Sequence, residues 1–236
     1  MALILNLESS TEVCSANIAR DGEVIDFREN NEGQNHARLL TLFIEELLTS
    51  NNIQVSDLDA IAVSRGPGSY TGLRIGVSAA KGLCYGAQIP LIAICSLKSM
   101  AHYAASIHKT SQNSGEKALW FCPMIDARRM EVFTAFYDKA NNETRPISAQ
   151  IIDNESFREI LDNHPVVFFG NGAEKCKSEI THTNAIFLDG IHTSSKYMTP
   201  LSEIAFRNED FVNVAYFEPF YLKDFIATYP KKNIFG

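Results

Sequence analysis

The stretch AIAVSRGPGSYTGLRIGVSAAKGLCYG spans Ala60–Gly86 and changes character at Arg65. Ala60–Ser64 is an apolar run of strand length. Beyond it, glycines at 66, 68, 72, 76, 82 and 86 accompany a 3.6-residue apolar repeat, which reads as a helix opened by a glycine turn. Strand, glycine turn and helix make the repeating unit of an α/β fold, and the same junction is where nucleotide-binding proteins place phosphate loops. Two templates test the phosphate reading, and both fail. A Walker loop needs lysine after its last glycine, but Gly76 is followed by Val77 and Ser78. A dinucleotide fingerprint needs a third glycine where Thr71 stands.

Helix geometry offers another account of the glycines. At 100° per residue, Gly72, Gly76, Ala79, Leu83 and Gly86 fall near one line, beside an apolar face of Leu73, Val77, Ala80 and Cys84. Arg74, Ser78, Lys81 and Tyr85 form the polar stripe. An interior glycine costs a helix about 1 kcal/mol relative to alanine, so something must offset the loss. Close approach of a second helix, in this chain or in another, is the expected compensation. Gly66-Pro-Gly68 reads as turn chemistry, with glycine supplying positive φ.

Outward from this unit, the first half reads as strands Leu3–Glu8, Val13–Arg20 and Glu23–Glu29. A helix from Asn35 to Thr49 precedes the glycine unit, and strand Leu91–Ile94 and a helix from Ser96 to His108 follow it. Thr110–Lys117 has linker composition. The second half repeats the order: strands Ala118–Ile125 and Glu131–Tyr137, a short strand Gln150–Asp153 and a helix Glu155–Leu161. Strand Val166–Phe169, a helix near Ala173–Ile180, strand Ala185–Leu188 and a helix Leu201–Phe211 complete it. Three antiparallel strands followed by α-β-α-β-α, twice, predict a duplicated ribonuclease H-like α/β fold of the actin, Hsp70 and sugar-kinase (ASKHA) type. The two lobes are expected at 1–110 and 111–236, with the C-terminal helix able to pack back on the first.

Composition narrows the function. The 236 residues carry 21 Lys and Arg against 28 Asp and Glu, a formal charge of −7, with a basic pair at Lys231-Lys232 near the tail. So acidic a chain is not expected to hold tRNA or membrane by itself, because phosphate affinity comes from clustered lysine and arginine. No apolar run approaches the roughly 20 residues of a membrane span. The N-terminus reads as a strand and not a signal peptide. Five cysteines without a Cys-x-x-Cys pair read as buried thiols in a reducing cytoplasm.

Four stretches carry a family resemblance: Glu8-Ser-Ser-Thr-Glu-Val-Cys-Ser15, Gln34-Asn-His-Ala-Arg-Leu-Leu40, Asp57–Gly86 and Asp126-Ala-Arg-Arg-Met-Glu-Val-Phe133, closed by Glu218-Pro-Phe-Tyr-Leu222. On these the chain resembles the bacterial TsaB (YeaZ) family of tRNA threonylcarbamoyladenosine (t6A) biosynthesis. The resemblance implies a non-catalytic scaffold and activator of the paralogous enzyme TsaD. That enzyme transfers the threonylcarbamoyl group to adenosine 37 of tRNA, with the ATPase TsaE as third member. It implies a TsaD heterodimer through Gly72, Gly76, Ala79 and Leu83, a homodimer when TsaD is absent, and tRNA contact only through the complex. No cofactor of the chain's own is implied, with ATP placed only at the partner interface. The alternative is an enzyme, a small ATP-dependent kinase or a glycoprotease-like metallopeptidase.

Glu8, Ser9, Ser10, Asp126 and Arg128 occupy the two hairpin positions that grip phosphate in actin-like folds, and are the candidates for a residual nucleotide or anion site. Where TsaD-like enzymes carry an H-x-x-x-H metal pair, this chain has Ser96 and Met100, so no metal site is expected. His102 and His108 are six residues apart on different helical faces, and an isolated His36 suits capping or packing. The family usually has glycine where Met130 stands, which argues against a tight turn there. No catalytic residue is expected, and the chain alone should be silent.

Overall fold

In the computed structural model, which describes residues 2–33, 35–108 and 117–223, the chain forms two five-stranded sheets of identical topology. The first contains β1 (Leu3–Glu8), β2 (Cys14–Arg20), β3 (Glu23–Asn30), β4 (Ala60–Gly66) and β5 (Leu91–Cys95). Its order is β3-β2-β1-β4-β5: β1–β2–β3 is an antiparallel meander, and β4 and β5 run parallel to β1. Helices α1 (His36–Ser50), α2 (Tyr70–Ala87) and α3 (Ser96–Ile107) connect the parallel strands and leave the last of them. The second sheet contains β6 (Trp120–Asp126), β7 (Glu131–Tyr137), β8 (Glu143–Ile151), β9 (Val166–Phe169) and β10 (Ala185–Leu188), in the order β10-β9-β6-β7-β8. A single-turn α4 (Arg158–Leu161) and the longer α5 (Ser195–Arg207) complete it. The doubled order 3-2-1-4-5 is the expected duplicated ribonuclease H-like, ASKHA-type architecture.

Strand alternation assigns the layers. Leu3, Leu5 and Leu7 of β1 point with Ile61 and Val63 to the core beneath α1 and α2. Ile4, Ala60, Ala62, Ile92 and Ile94 point the other way and are covered by Met198, Leu201, Ala205 and Phe206. So α5, from the second half of the sequence, is seated on the first sheet. That seat also holds a buried polar row: Ser202 Oγ donates to Asn6 Oδ1 at 2.6 Å and Thr199 Oγ1 to Asn17 Oδ1 at 3.2 Å. Asn6 and Asn17 are joined at 3.2 Å. Helix α3 joins the lobes, because Leu97, Met100, Ala101 and Ala104 share one core with Phe121, Ile125, Phe133 and Phe169.

Four expected elements are corrected. The third strand of the second half is β8, nine residues long, where Gln150–Asp153 was expected. It contains Pro146 and lies at the sheet edge, where a missing N–H costs no ladder bond. The helix expected over Glu155–Leu161 shrinks to α4, because Phe157 sits at φ 63 and Ser156 is tied back to Asp153. The helix near Ala173–Ile180 contains only a 3₁₀ turn at Glu174–Cys176. Helix α5 starts at Ser195, six residues before the expected Leu201, and accommodates Pro200. Apart from Lys117, the expected linker lies outside the described residues, as do Lys231 and Lys232.

Candidate functional site

The glycines of α2 fall into two groups with different surroundings. Ser69 caps the helix, its Oγ accepting from Gly72 N at 3.3 Å, and its own N–H donates to the Ser10 carbonyl at 2.6 Å. A Cβ at Gly68 would overlap the Ser10 carbonyl oxygen. One at Gly72 would overlap the Ser9 carbonyl oxygen, and one at Gly76 would overlap Ser9 Oγ. Ser9 Oγ in turn donates to the Gly72 carbonyl at 2.9 Å. These three glycines let the start of α2 press backbone to backbone on the turn between β1 and β2. This corrects the expectation for Gly72 and Gly76: both are buried, and the neighbour that demands glycine is a turn of the same chain, not a second helix. Positive φ is needed at Gly66, which sits at φ 100, and not at Gly68.

The second group faces outward. A Cβ at Gly82 or at Gly86 would meet nothing within 4 Å. Ala79 and Leu83 are half-buried, packing on the α1–α2 core while keeping an edge in solvent. Together they leave a narrow open strip of Ala79, Gly82, Leu83 and Gly86. Among the described residues nothing offsets the helix cost of Gly82. The polar stripe is partly taken by the C-terminal segment. Lys81 Nζ donates to the Ala215 and Phe217 carbonyls at 3.1 and 3.0 Å, and Arg74 Nε to Tyr221 OH at 3.4 Å. Phe220 N bonds the Arg65 carbonyl at 2.7 Å. The closing Glu218–Leu222 motif is therefore a strap along one flank of α2, a role sequence reasoning missed. Its one advance signal was Lys81 and Arg74 in phase on the helix, seven residues apart.

The first hairpin does not fit a bound nucleotide. Glu8, Ser9 and Ser10 are all fully buried, Ser9 and Ser10 against the start of α2. Glu8 Oε1 accepts from Ser10 N at 2.6 Å. Burial pushes its carboxyl up from the ordinary range, against the opposing pull of hydrogen bonds from Ser10. A carboxyl biased toward its neutral form and closed over by backbone is a poor cation ligand. The second hairpin is open: Asp126, Arg128 and Arg129 are exposed. Asp126 Oδ1 accepts from Arg128 N at 2.9 Å and from Lys175 Nζ. Asn171 bridges the lobes, accepting from Asp126 N at 3.0 Å and donating to Glu12 Oε2 at 2.7 Å. No hydrogen bond or ion pair among the described residues joins Glu8, Ser9 or Ser10 to Asp126 or Arg128.

The chain is similar to proteins of one family over most of its length. The family model described as "TsaD: tRNA N6-adenosine threonylcarbamoyltransferase" matches residues 30–229. Two curated relatives, each a tRNA threonylcarbamoyladenosine biosynthesis protein TsaB, are 29% identical over 232 residues. That of Haemophilus influenzae aligns over 94% of this chain and 93% of its own length, and that of Escherichia coli over 95% and 96%. The chain belongs to the TsaD-like family, on its TsaB (YeaZ) branch. The solved YeaZ of Pseudomonas aeruginosa superposes with a TM-score of 0.76 at 25% identity, covering 94% of this chain and 100% of that one.

Other expected features of this TsaB-branch chain take definite positions. Ser96 and Met100, which stand where an i, i+4 histidine pair would, are buried in the core around α3. His102 is half-buried, and burial and then nearby Lys98 lower its pKa. His36 Nε2 donates to the Thr11 carbonyl at 2.8 Å, tying α1 to the first hairpin. All five cysteines are buried free thiols, and burial pushes Cys14 and Cys84 up to about 12, far from a reactive thiolate. Gly170 and Gly172 pack against Met124 and Asp126 of β6, as turn residues. Among the described residues no helix is long and apolar enough to cross a membrane.

The turn at Arg128 and Arg129 is tight, contrary to the expectation from Met130. The left-handed residues are the arginines, at φ 70 and 50. The turn is closed by Ala127 N to the Glu131 carbonyl at 3.0 Å and Glu131 N to the Arg128 carbonyl at 3.2 Å. Met130 tucks its side chain into the second-lobe core, and its carbonyl accepts from Ile152 N at 2.7 Å. A left-handed non-glycine residue costs about 1 kcal/mol, and here two stand in succession.

Proposed function

We propose that this protein is the non-catalytic partner of a TsaD enzyme in t6A modification of tRNA, acting in the bacterial cytoplasm and docking through the outer strip of α2. One observation carries the reading. Ala79, Gly82 and Gly86 line up along the outside of a helix, and among the described residues nothing lies within 4 Å of where a Cβ at either glycine would stand. A strip of this kind suits the backbone-close approach of a second helix. Leu83 at its edge and Leu42 of the adjacent α1, 38% exposed, add apolar contact. The filled first hairpin speaks against autonomous phosphoryl transfer, and so against the kinase alternative. Any nucleotide then belongs at the partner interface, and TsaE acts on the assembled pair.

The test is Gly82→Leu. Its side chain enters open space, so the isolated variant should melt at or above the wild-type temperature, leucine being the better helix former by nearly 1 kcal/mol. Co-purification with TsaD should be lost, and with it t6A formation in a reconstituted reaction. Normal pairing by the folded variant would refute the docking face. ATP turnover by the isolated wild-type chain would refute the non-catalytic role.

A further inference from the structure

The second hairpin has a feature that the docking face leaves unused. Asp126 and Glu131, the two acids that flank its tip, each receive a lysine: Lys175 on Asp126 and Lys223 on Glu131. Glu12 across the cleft is engaged by the Asn171 amide. The charges of Arg128 and Arg129 are thus left uncompensated, and neither side chain makes a hydrogen bond or ion pair among the described residues. Two unopposed guanidinium groups on one exposed turn stand out in a chain of net charge −7.

The backbone sharpens the point. Both arginines hold a left-handed φ, where glycine or asparagine would sit with less strain. Three bonds fix the turn: Arg128 N to Asp126 Oδ1, Ala127 N to the Glu131 carbonyl and Glu131 N to the Arg128 carbonyl. Strain at an exposed, over-determined turn that carries two free cations points to a ligand. The planar guanidinium fork pairs two-pronged with phosphate, and neighbouring forks on a fixed turn suit successive phosphates of a polyanion.

We propose that Arg128 and Arg129 are a phosphate-backbone contact for tRNA, made when this chain is assembled with TsaD. The inference rests on the proposed function above. Of the partners in that reading, tRNA alone presents a continuous row of phosphates. Two cations cannot hold RNA against the charge of the whole chain, so the contact adds to binding by the complex and does not recruit tRNA to the isolated subunit.

The test uses the reconstituted complex with TsaD and an unmodified tRNA transcript. Arg128→Asn/Arg129→Gly removes both cations while relaxing the turn, so the fold is retained; Arg128→Lys/Arg129→Lys keeps the charge and loses the fork. The Asn/Gly variant should pair with TsaD as wild type does and bind tRNA about tenfold more weakly at low salt. Its slope of log affinity against log salt should be shallower by roughly two. The lysine variant should keep the slope and lose part of the affinity. Unchanged tRNA affinity and slope in an intact complex would overturn the proposal and leave the docking function standing. Loss of TsaD pairing in the Asn/Gly variant would also overturn it, by making the turn a protein contact. If the wild-type chain itself does not pair with TsaD, the function reading fails and the tRNA contact fails with it.

Discussion

Glu8 shows how the surroundings of one acidic side chain set its charge. It ends β1 fully buried beside Ser64, Ser9 and Ser10. Desolvation favours the neutral carboxyl, while hydrogen bonds from Ser10, Ser64 and Ser9 favour the charged one; burial wins, and the pKa rises. The consequence for stability has a definite sign. A group with a raised folded pKa contributes most below its unfolded value, near 4.5, and loses that contribution as pH climbs through the folded value. Glu8→Gln removes the penalty and keeps an acceptor for Ser10 N. The variant should be more stable than wild type at pH 7–8, with the difference closing as pH falls toward 4.5. Urea unfolding of both proteins across that range measures it; a difference that widens toward acid pH would show that Glu8 is held as a carboxylate. In sequence Glu8 was legible only as an acid at a hairpin. Its burial depends on residues some 60 positions later, which no local pattern encodes.

Helix α2 offers the matching test for an element, because its glycines answer to opposite neighbours. Gly72→Ala would drive a methyl into the Ser9 carbonyl, and backbone cannot step aside as a side-chain tip can. By analogy with overpacked cores it should cost about 1–3 kcal/mol. Gly82→Ala meets nothing and should stabilise the isolated chain by up to about 1 kcal/mol. Chemical denaturation of the two single variants decides it; the same sign for both would mean that the two faces of α2 are not distinguished as the packing requires. The helical wheel placed Gly72 and Gly76 correctly in angle, yet assigned them a helix as neighbour. Periodicity says which residues share a face but not what that face meets. The same limit shaped the other elements. Short apolar runs and 3.6-residue repeats located β1, β4, β9, α1 and α2 closely. Polar, proline-bearing β8 lacks that pattern, since an edge strand needs one buried face at most. The expected helices at 155–161 and 173–180 have helical composition but are broken by Phe157 in a left-handed conformation and by a 3₁₀ turn.

At the scale of the molecule the two sheets repeat each other, yet the halves of the sequence are not interchangeable parts. Helix α5 follows the second sheet and covers the first. Ile4, Ile92, Ile94 and the Asn6–Asn17 pair are dry only because Met198, Phe206, Thr199 and Ser202 lie over them. The segment leading into α5 is also stitched down. Thr193 Oγ1 lies 2.6 Å from Thr11 Oγ1, Ser194 Oγ donates to Glu29 Oε2 at 2.7 Å, and Ser195 N to Ser15 Oγ at 2.9 Å. A fragment ending at residue 110 would keep every strand of the first sheet and uncover this seat. It would expose apolar side chains, each worth about 1.5–3 kcal/mol when fully buried, and give up the hydrogen bonds that Ser202 and Thr199 make to Asn6 and Asn17. Against a typical total of about 5–15 kcal/mol, that loss is decisive. Residues 1–110 expressed alone should therefore be insoluble or lack a cooperative thermal transition, and co-expression with 111–236 should restore a soluble, sharply melting pair. A soluble 1–110 fragment that melts cooperatively by itself would show that the first sheet carries its own stability, and that α5 is a cover rather than part of the fold.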